Sequence, residues 1–187
     1  MKNRSKLLVA VALTGLVIMG VFAYFISQVV LVDNTNFNDD TEYIYIRRSD
    51  DLSDVIAKLE PLLKDIDYFR LVADKKRYKV RSGKYPIEKG MNNNEIINSL
   101  RSRNTPVRLQ FSYEKNVMSL AQTLSKQIAL DAETILTSFK DTDFLKAHQL
   151  NEQTLPSLFL PNTYEVFWDI TADQLRERFL DEHQKFW

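Results

Sequence analysis

The sequence predicts an α+β protein that begins with a membrane-spanning helix. Three observations carry that expectation. Leu7 to Val32 is a run of 26 residues without a charged side chain. At a helical rise of about 1.5 Å per residue it reaches ~39 Å, enough to cross a hydrocarbon layer about 30 Å thick. Behind it, apolar residues recur at helical spacing in several segments, and short β-branched, aromatic or strictly alternating segments lie between them.

Charge gives the helix a direction. The 187 residues hold 25 basic and 25 acidic side chains, a formal charge of zero. Lys2, Arg4 and Lys6 precede the apolar run, and residues 1–32 contain no acid. The other 155 residues therefore carry 22 basic and 25 acidic groups, net −3. The positive-inside tendency places the N-terminus in the cytoplasm and the bulk on the periplasmic or extracytoplasmic side of the inner membrane. A cleaved signal peptide is the rival reading. The run exceeds the 7–15-residue apolar core of a signal, and no A-x-A site follows it, so an uncleaved single-pass anchor is expected.

Composition excludes several chemistries. An exterior of net negative charge lacks the basic excess of nucleic-acid-binding domains, so no nucleic-acid partner is expected. There is no cysteine, hence no thiol nucleophile, disulfide or Cys-ligated metal. The two histidines, His148 and His183, have no metal-ligand partner at i+4. Gly15 and Gly20 lie in the apolar run, which leaves Gly83 and Gly90 and no phosphate-cradling glycine loop. No metal or cofactor is expected.

Residues 1–32 are read as cytoplasmic tip and anchor, and 33–41 (from Asp33-Asn34-Thr35-Asn36) as a polar, turn-rich linker. Residues 42–105 read as a small α+β domain of order β-α-α-β-β-α. Tyr43–Ile46 is suited to a strand. Ser49 and Asp50 are capping types, and Leu52, Val55, Ile56, Leu59 and Leu63 follow at helical spacing, with Pro61 separating two helical pieces. Residues 78–87 read as strand, bend, strand, with Gly83 at the bend and Pro86 favouring an edge. Gly90 and Asn92–Asn94 mark a turn and a helix cap before Ile96, Ile97 and Leu100. Thr105-Pro106 is the boundary.

Residues 106–187 read as part of a second α+β domain. Val107, Leu109, Phe111 and Tyr113 alternate with polar residues, the pattern of a half-buried strand. Asn116 caps a helix carrying Met118, Ala121, Leu124 and Ile128, and Asp131 caps one with Ile135, Leu136 and Phe139 inward. Thr171 caps a last helix through Leu175, Phe179 and Phe186. That helix ends on Phe186-Trp187, an apolar pair expected to have something to pack against.

The candidate site is Asn162-Thr163-Tyr164-Glu165, after the Leu-Phe-Leu run that Pro156 and Pro161 bracket. One reading is an Asx-turn with a capping hydroxyl. The other is a sugar-binding groove, where amides and carboxylates beside aromatic faces suit a polyol, here Asn162 and Glu165 next to Tyr164, Phe167 and Trp168. A Glu flanked by aromatics is also a candidate proton donor. Both readings stand on pattern alone.

Several segments together resemble the YceG-like family of endolytic murein transglycosylases. They are the cationic tip and anchor, Ser49-Asp50-Asp51-Leu52 with Val55-Ile56-Ala57 and Leu59, Ser82-Gly83-Lys84-Tyr85 with Gly90-Met91 and Glu95-Ile96-Ile97, and Phe159-Leu160-Pro161-Asn162-Thr163-Tyr164. The last is similar to the family's LFPDTY motif, with Asn162 in place of its Asp, and Pro156-Ser157 stand where the family has Glu-Gly. The resemblance implies a LysM-like domain at 42–105 and a catalytic domain from 106. It implies substrate contacts at Asn162, Thr163, Tyr164 and Glu165, with Glu165 as a stand-in for a missing family carboxylate.

The resemblance also implies the reaction: cleavage of the β-1,4 bond between N-acetylmuramic acid and N-acetylglucosamine in nascent glycan strands. One Glu protonates the leaving oxygen, then accepts the proton of the muramic 6-hydroxyl as that hydroxyl closes a 1,6-anhydro ring. The partners implied are peptidoglycan strands, the inner membrane and cell-wall synthases. The family's catalytic Glu belongs to an Ala-Ser-Ile-Val-Glu type of motif, which does not occur before Trp187. By resemblance that Glu is expected beyond Trp187. The chain is therefore expected to be the N-terminal part of a longer enzyme and inactive alone, with Glu165 the one candidate acid it holds. The alternative is a naturally short, non-catalytic periplasmic glycan-binding or scaffold protein of cell-wall synthesis.

Overall fold

The computed structural model describes residues 2–187, with side chains from residue 11; the side chains of Lys2, Arg4 and Lys6 lie outside the described residues. Eight α-helices and four strands follow one another among the described residues. They are α1 (Lys2–Val30), β1 (Thr41–Ile46), α2 (Leu52–Leu59), α3 (Ile66–Lys75), β2 (Gly83–Glu88), α4 (Asn93–Ser102), β3 (Pro106–Gln110), α5 (Val117–Ser125), α6 (Ala132–Phe139), α7 (Thr142–Ala147), β4 (Thr163–Phe167) and α8 (Ala172–Phe186). Short 3₁₀ turns occupy Glu60–Leu62 and Leu155–Leu158. β1 pairs with β2, and β3 with β4, as two-stranded sheets. The result is a mixed helix and strand fold. Val11–Val30 of α1 is long and apolar enough to cross a membrane.

The chain divides into two compact units: residues 1–44, 51–80 and 86–103, and residues 45–50, 81–85 and 104–187. In the first unit α3 packs against α1, α2 and α4. Val55, Leu59, Phe69, Ile87, Ile96, Ile97 and Leu100 are fully buried. α2 and α4 start with reciprocal capping boxes, Asp51 with Asp54 and Asn92 with Glu95. The cap of α2 is thus Asp51, one residue after the Ser49-Asp50 pair that the sequence pointed to.

The segment read as a linker is bound on both sides. Asn34 and Thr35 are buried. The Asn34 amide donates to the Asp65 carbonyl and to Asn93 Oδ1, both at 2.7 Å, and its Oδ1 accepts from the Asp65 N–H at 2.8 Å. Asn93, itself buried, donates to the Val29 carbonyl at 2.7 Å. Backbone bridges join Asp33 to Asn92 and Thr35 to Leu63. The polarity that suggests a solvated tether instead serves the Asp65 backbone at the start of α3 and the Asn93 side chain, which in turn donates to the Val29 carbonyl near the end of α1.

Residues 78–87 hold one strand rather than two. Gly83 lies within β2, not at a bend, with φ +144. A Cβ there would stand 2.6 Å from the Asn104 side chain, so close approach as well as backbone conformation calls for glycine.

In the second unit β3 and β4 run antiparallel, Leu109 opposite Tyr164 and Arg108 opposite Glu165. β3 ends at Gln110, so Phe111 and Tyr113 do not continue it as the alternation predicts; Phe111 turns into the core and Tyr113 is exposed. On the border of β3 away from β4, Gln127 takes the Gln110 N–H on its Oε1 at 2.9 Å and donates to the Gln110 carbonyl at 2.8 Å. The face of α5 that turns inward is Val117, Leu120, Ala121 and Leu124, whereas Met118 is exposed. α6 and α8 follow their expected caps, Asp131 and Thr171.

At the end of α8, Phe186 and Trp187, read as an apolar pair expected to have something to pack against, are both exposed among the described residues, Trp187 at 85%. Their rings meet each other edge-on, with centroids 5.2 Å apart. The inward stripe of α8 is Ala172, Leu175, Phe179 and Leu180, so burial stops at Leu180, before the last two turns.

Phe179 of α8 sits at the centre of this core. Its ring meets Phe111, Phe139, Phe159 and Tyr164 edge-on, at centroid distances of 5.6, 5.9, 5.4 and 4.9 Å. That arrangement places ring edges against ring faces, which the aromatic quadrupole favours.

Replacing Asn34 by Ala leaves the Asp65 N–H and carbonyl and one acceptor of Asn93 unpaired in a buried setting. A loss of about 2–3 kcal/mol in the stability of the first unit is expected, readable by urea denaturation of the detergent-solubilised chain.

Candidate functional site

The segment from Leu155 to Phe167 is shaped by its own sequence. Pro156 opens a 3₁₀ turn, and Leu155, Leu158 and Phe159 enter the core. Leu160–Asn162 then turns the chain into β4. Asn162 Oδ1 accepts from the Thr163 N–H at 2.8 Å, and the Tyr164 hydroxyl donates to the Leu160 carbonyl at 2.5 Å. The turn is thus closed from both ends by side chains of the motif itself.

β-alternation sorts the four candidate residues. Tyr164 points inward, 3% exposed, stacked on Phe111 with centroids 5.7 Å apart and rings 3° from parallel. Buried among protein side chains, its ring offers no open face to a ligand, so its part is to hold the turn. Burial, and then the nearby Glu182 carboxylate, push its phenol above the ordinary value of 10.0, against a smaller pull from Arg178. The Glu182 carboxyl is itself held low, chiefly by a hydrogen bond from Lys185. Thr163 and Glu165 point outward with Phe167. Glu165 lies 4.0 Å from Arg108, with its side chain 69% exposed, a solvated pair across the strands. The apolar surroundings expected for it belong to the opposite face of β4, with Tyr164 and Val166. Asn162 is exposed at the turn.

Beside this segment lies a cavity of about 310 Å³, near the lower end of small-ligand sites at ~300–1,000 Å³. Its wall includes Phe111, Tyr113, Glu114, Asn116, Phe159 and Pro161. Pro161 brings the motif to its rim, but residues 162–165 do not line it. Glu114 is the carboxylate in its wall, and the Thr123 hydroxyl donates to its Oε1 at 2.8 Å. The sequence reading passed over Tyr113 and Glu114 as site residues. The apparent strand alternation concealed them, because β3 ends at Gln110 and the residues after it leave the sheet.

A second, broader groove runs over α6 and the start of α8, lined by Arg48, Asp131, Asp141, Asp173 and Arg176 among others. Arg176 is already engaged, donating to the Ser138 carbonyl at 2.8 Å and lying over the Phe144 ring. Trp187, beyond which the resemblance puts the catalytic Glu, lines neither the cavity nor this groove. His148 is exposed against Phe144. Among the described residues no three His, Asp or Glu side chains gather where they could hold a metal ion.

Replacing Tyr164 by Phe removes the bond to Leu160, and a loss of about 1 kcal/mol is expected at neutral pH. The raised phenol pKa adds a pH dependence. The folded state favours the neutral phenol, so this contribution is complete below pH 10 and is lost as pH rises through the folded value. Thermal melts across alkaline pH are expected to fall less steeply for Tyr164→Phe than for the parent.

Comparison with known proteins adds the following. A model of the YceG-like family matches residues 44–187. The crystal structure of a protein from Listeria monocytogenes described as YceG-like is similar over 80% of this chain and 56% of that one, at 16% identity and a TM-score of 0.40. The chain thus spans little more than half the length of that protein. A comparison with curated proteins returned no match.

Proposed function

The chain belongs to the YceG-like family, known as endolytic transglycosylases, and from that premise we propose that it is a membrane-anchored protein of peptidoglycan cleavage. The observation that carries the reading is the family match over residues 44–187. The apolar helix of α1 supports anchoring, and the cationic tip supports a cytoplasmic N-terminus at the inner membrane.

In the proposed reaction, a carboxylic acid protonates the glycosidic oxygen between N-acetylmuramic acid and N-acetylglucosamine. The resulting carboxylate takes the proton of the muramic 6-hydroxyl, which attacks the anomeric carbon of its own sugar. The products are a free N-acetylglucosamine 4-hydroxyl and a 1,6-anhydro end. An intramolecular nucleophile replaces water, so one carboxyl group serves both proton transfers. Glu165, solvated opposite Arg108, lacks the desolvated setting that such a proton donor needs. Residues 42–105 take the part of a LysM-like unit that holds the strand. Asn162, Thr163 and Glu165 present polar groups to it, and Tyr164 fixes their turn. Cell-wall synthases are candidate partners.

A specific observation favours a second reading, a non-catalytic glycan-binding or scaffold role. Of the carboxylates near the motif, Glu165 is solvated opposite Arg108, Glu114 accepts from Thr123 and Glu182 accepts from Lys185. None of the three stands unpartnered as a proton donor.

Mass spectrometry of muropeptides released from purified sacculi by the full gene product separates the two readings. Anhydro-muropeptides are expected; their absence, with glycan binding retained, points to the scaffold. The 187-residue chain alone is expected to release none. In the full product Glu165→Gln is expected to lower kcat/KM less than about tenfold, as for a solvated contact. A loss of ~10³ or more identifies Glu165 as the acid.

A further inference from the structure

The surface of the first unit beside the apolar helix carries an inference of its own. We propose that α3 and the basic turn after it lie against the anionic phospholipid headgroups of the membrane that α1 crosses. The proposal rests on the spanning reading of α1.

Depth is the first observation. Phe25 lies within the apolar span, five residues before the end of α1, so about 7 Å short of its exit. Its ring meets Tyr68 of α3 edge-on, with centroids 6.2 Å apart. Tyr68 is thereby carried to the headgroup level, where tyrosine is enriched. Direction is the second. The start of α3 is held beyond the exit, because the Asp65 backbone is bonded to Asn34. Between Asp65 and Tyr68 the chain therefore runs back along α1, which keeps the first turn of α3 beside the end of the apolar span.

Charge is the third. The C-terminal end of α3 runs into Lys75, Lys76, Arg77 and Lys79, four cations without an acid among residues 75–79. Residues 33–187 as a whole are net negative, so this is a local concentration of positive charge. Lys76 is bonded to the Asn94 side chain, next to the Asn93 that takes the Val29 carbonyl, which fixes one of these cations close to the helix exit. On α3, Leu71 and Lys75 follow Tyr68 at i+3 and i+7 and share its face. Leu71 is 38% exposed there. Asp67 and Asp74 border this stripe, at i−4 and i+3 from Leu71, and Asp67 is paired with Arg70 at 2.6 Å. A tyrosine, an exposed leucine and long cationic stems on one face match a headgroup layer, where the stems lie along apolar surface and the ammonium groups reach phosphate.

The absence of cysteine makes the test clean, because single labels can be placed anywhere. The full chain, labelled at Val21→Cys or Leu71→Cys, is reconstituted in phosphatidylcholine vesicles with or without phosphatidylglycerol. Acyl-chain and headgroup quenchers then report depth. Quenching at position 21 by the acyl-chain probe is expected in both bilayers. Quenching at position 71 by the headgroup probe is expected with phosphatidylglycerol. It should fall at least about twofold without that lipid, at 1 M salt, or when Lys75, Arg77 and Lys79 are all changed to Glu. Position 71 unquenched while position 21 is quenched overturns the proposal. Equal quenching at position 71 in both bilayers and at both salt levels overturns the assignment to anionic headgroups. Position 21 unquenched overturns the spanning reading itself. The salt arm keeps the test decisive if the triple variant fails to fold.

Discussion

The end of a helix leaves carbonyl groups without partners in their own ladder, and the first unit is organised around that deficit at the end of α1. Asn93 reaches the Val29 carbonyl, Asn34 reaches Asn93, and the same Asn34 amide spans both backbone groups of Asp65. Each bond is worth little alone, since folding exchanges it for a bond to water. Unmade, each would leave a buried polar group that nothing else satisfies. One pair of asparagines therefore sets where α1 stops, where α3 starts and how α4 meets them.

The second unit answers a different need with apolar means. Four aromatic rings surround Phe179, and two of them, Phe159 and Tyr164, flank the turn that carries the family motif. The motif is thus fixed from below by ring packing and from within by the Asn162 and Tyr164 hydrogen bonds. Its outward residues, Thr163 and Glu165, can vary in chemistry without disturbing the core. The Asn162 amide oxygen serves the turn as acceptor for the Thr163 N–H without a charge.

Local chemistry was legible in the sequence. Asn92, Asn116, Asp131 and Thr171 cap the helices they were expected to cap, because a cap needs only its own side chain and the backbone three residues on. Inward faces followed the helical period, apart from Met118 and the Phe186-Trp187 end of α8. What escaped depends on partners distant in the chain. β4 exists because Tyr164 and Val166 register against Leu109 and Val107, which no window around residue 164 reveals. The cap that the Gln127 side chain puts on the open border at Gln110 comes from seventeen residues on. Gly83 is required by Asn104 rather than by a turn. In the site, a local side-chain bond by Asn162 was readable, although it goes to the adjacent Thr163 N–H rather than closing an Asx-turn, and the burial of Tyr164 was not. A tyrosine beside Glu, Phe and Trp suggests a ligand face until the strand alternation turns it into the core. The cavity wall at Tyr113 and Glu114 escaped for the same reason, since the strand that would have hidden one of them ends early.

The Gln127 side chain has a consequence for how this protein behaves among its own copies. A two-stranded sheet offers two open borders on which another extended chain could add itself as a further strand. At Gln110 both main-chain groups are already taken by one primary amide, so a foreign strand arriving there must displace an intramolecular partner tethered seventeen residues away. A single glutamine acts as a stopper on templated growth, and it does so without adding charge or proline to the sheet.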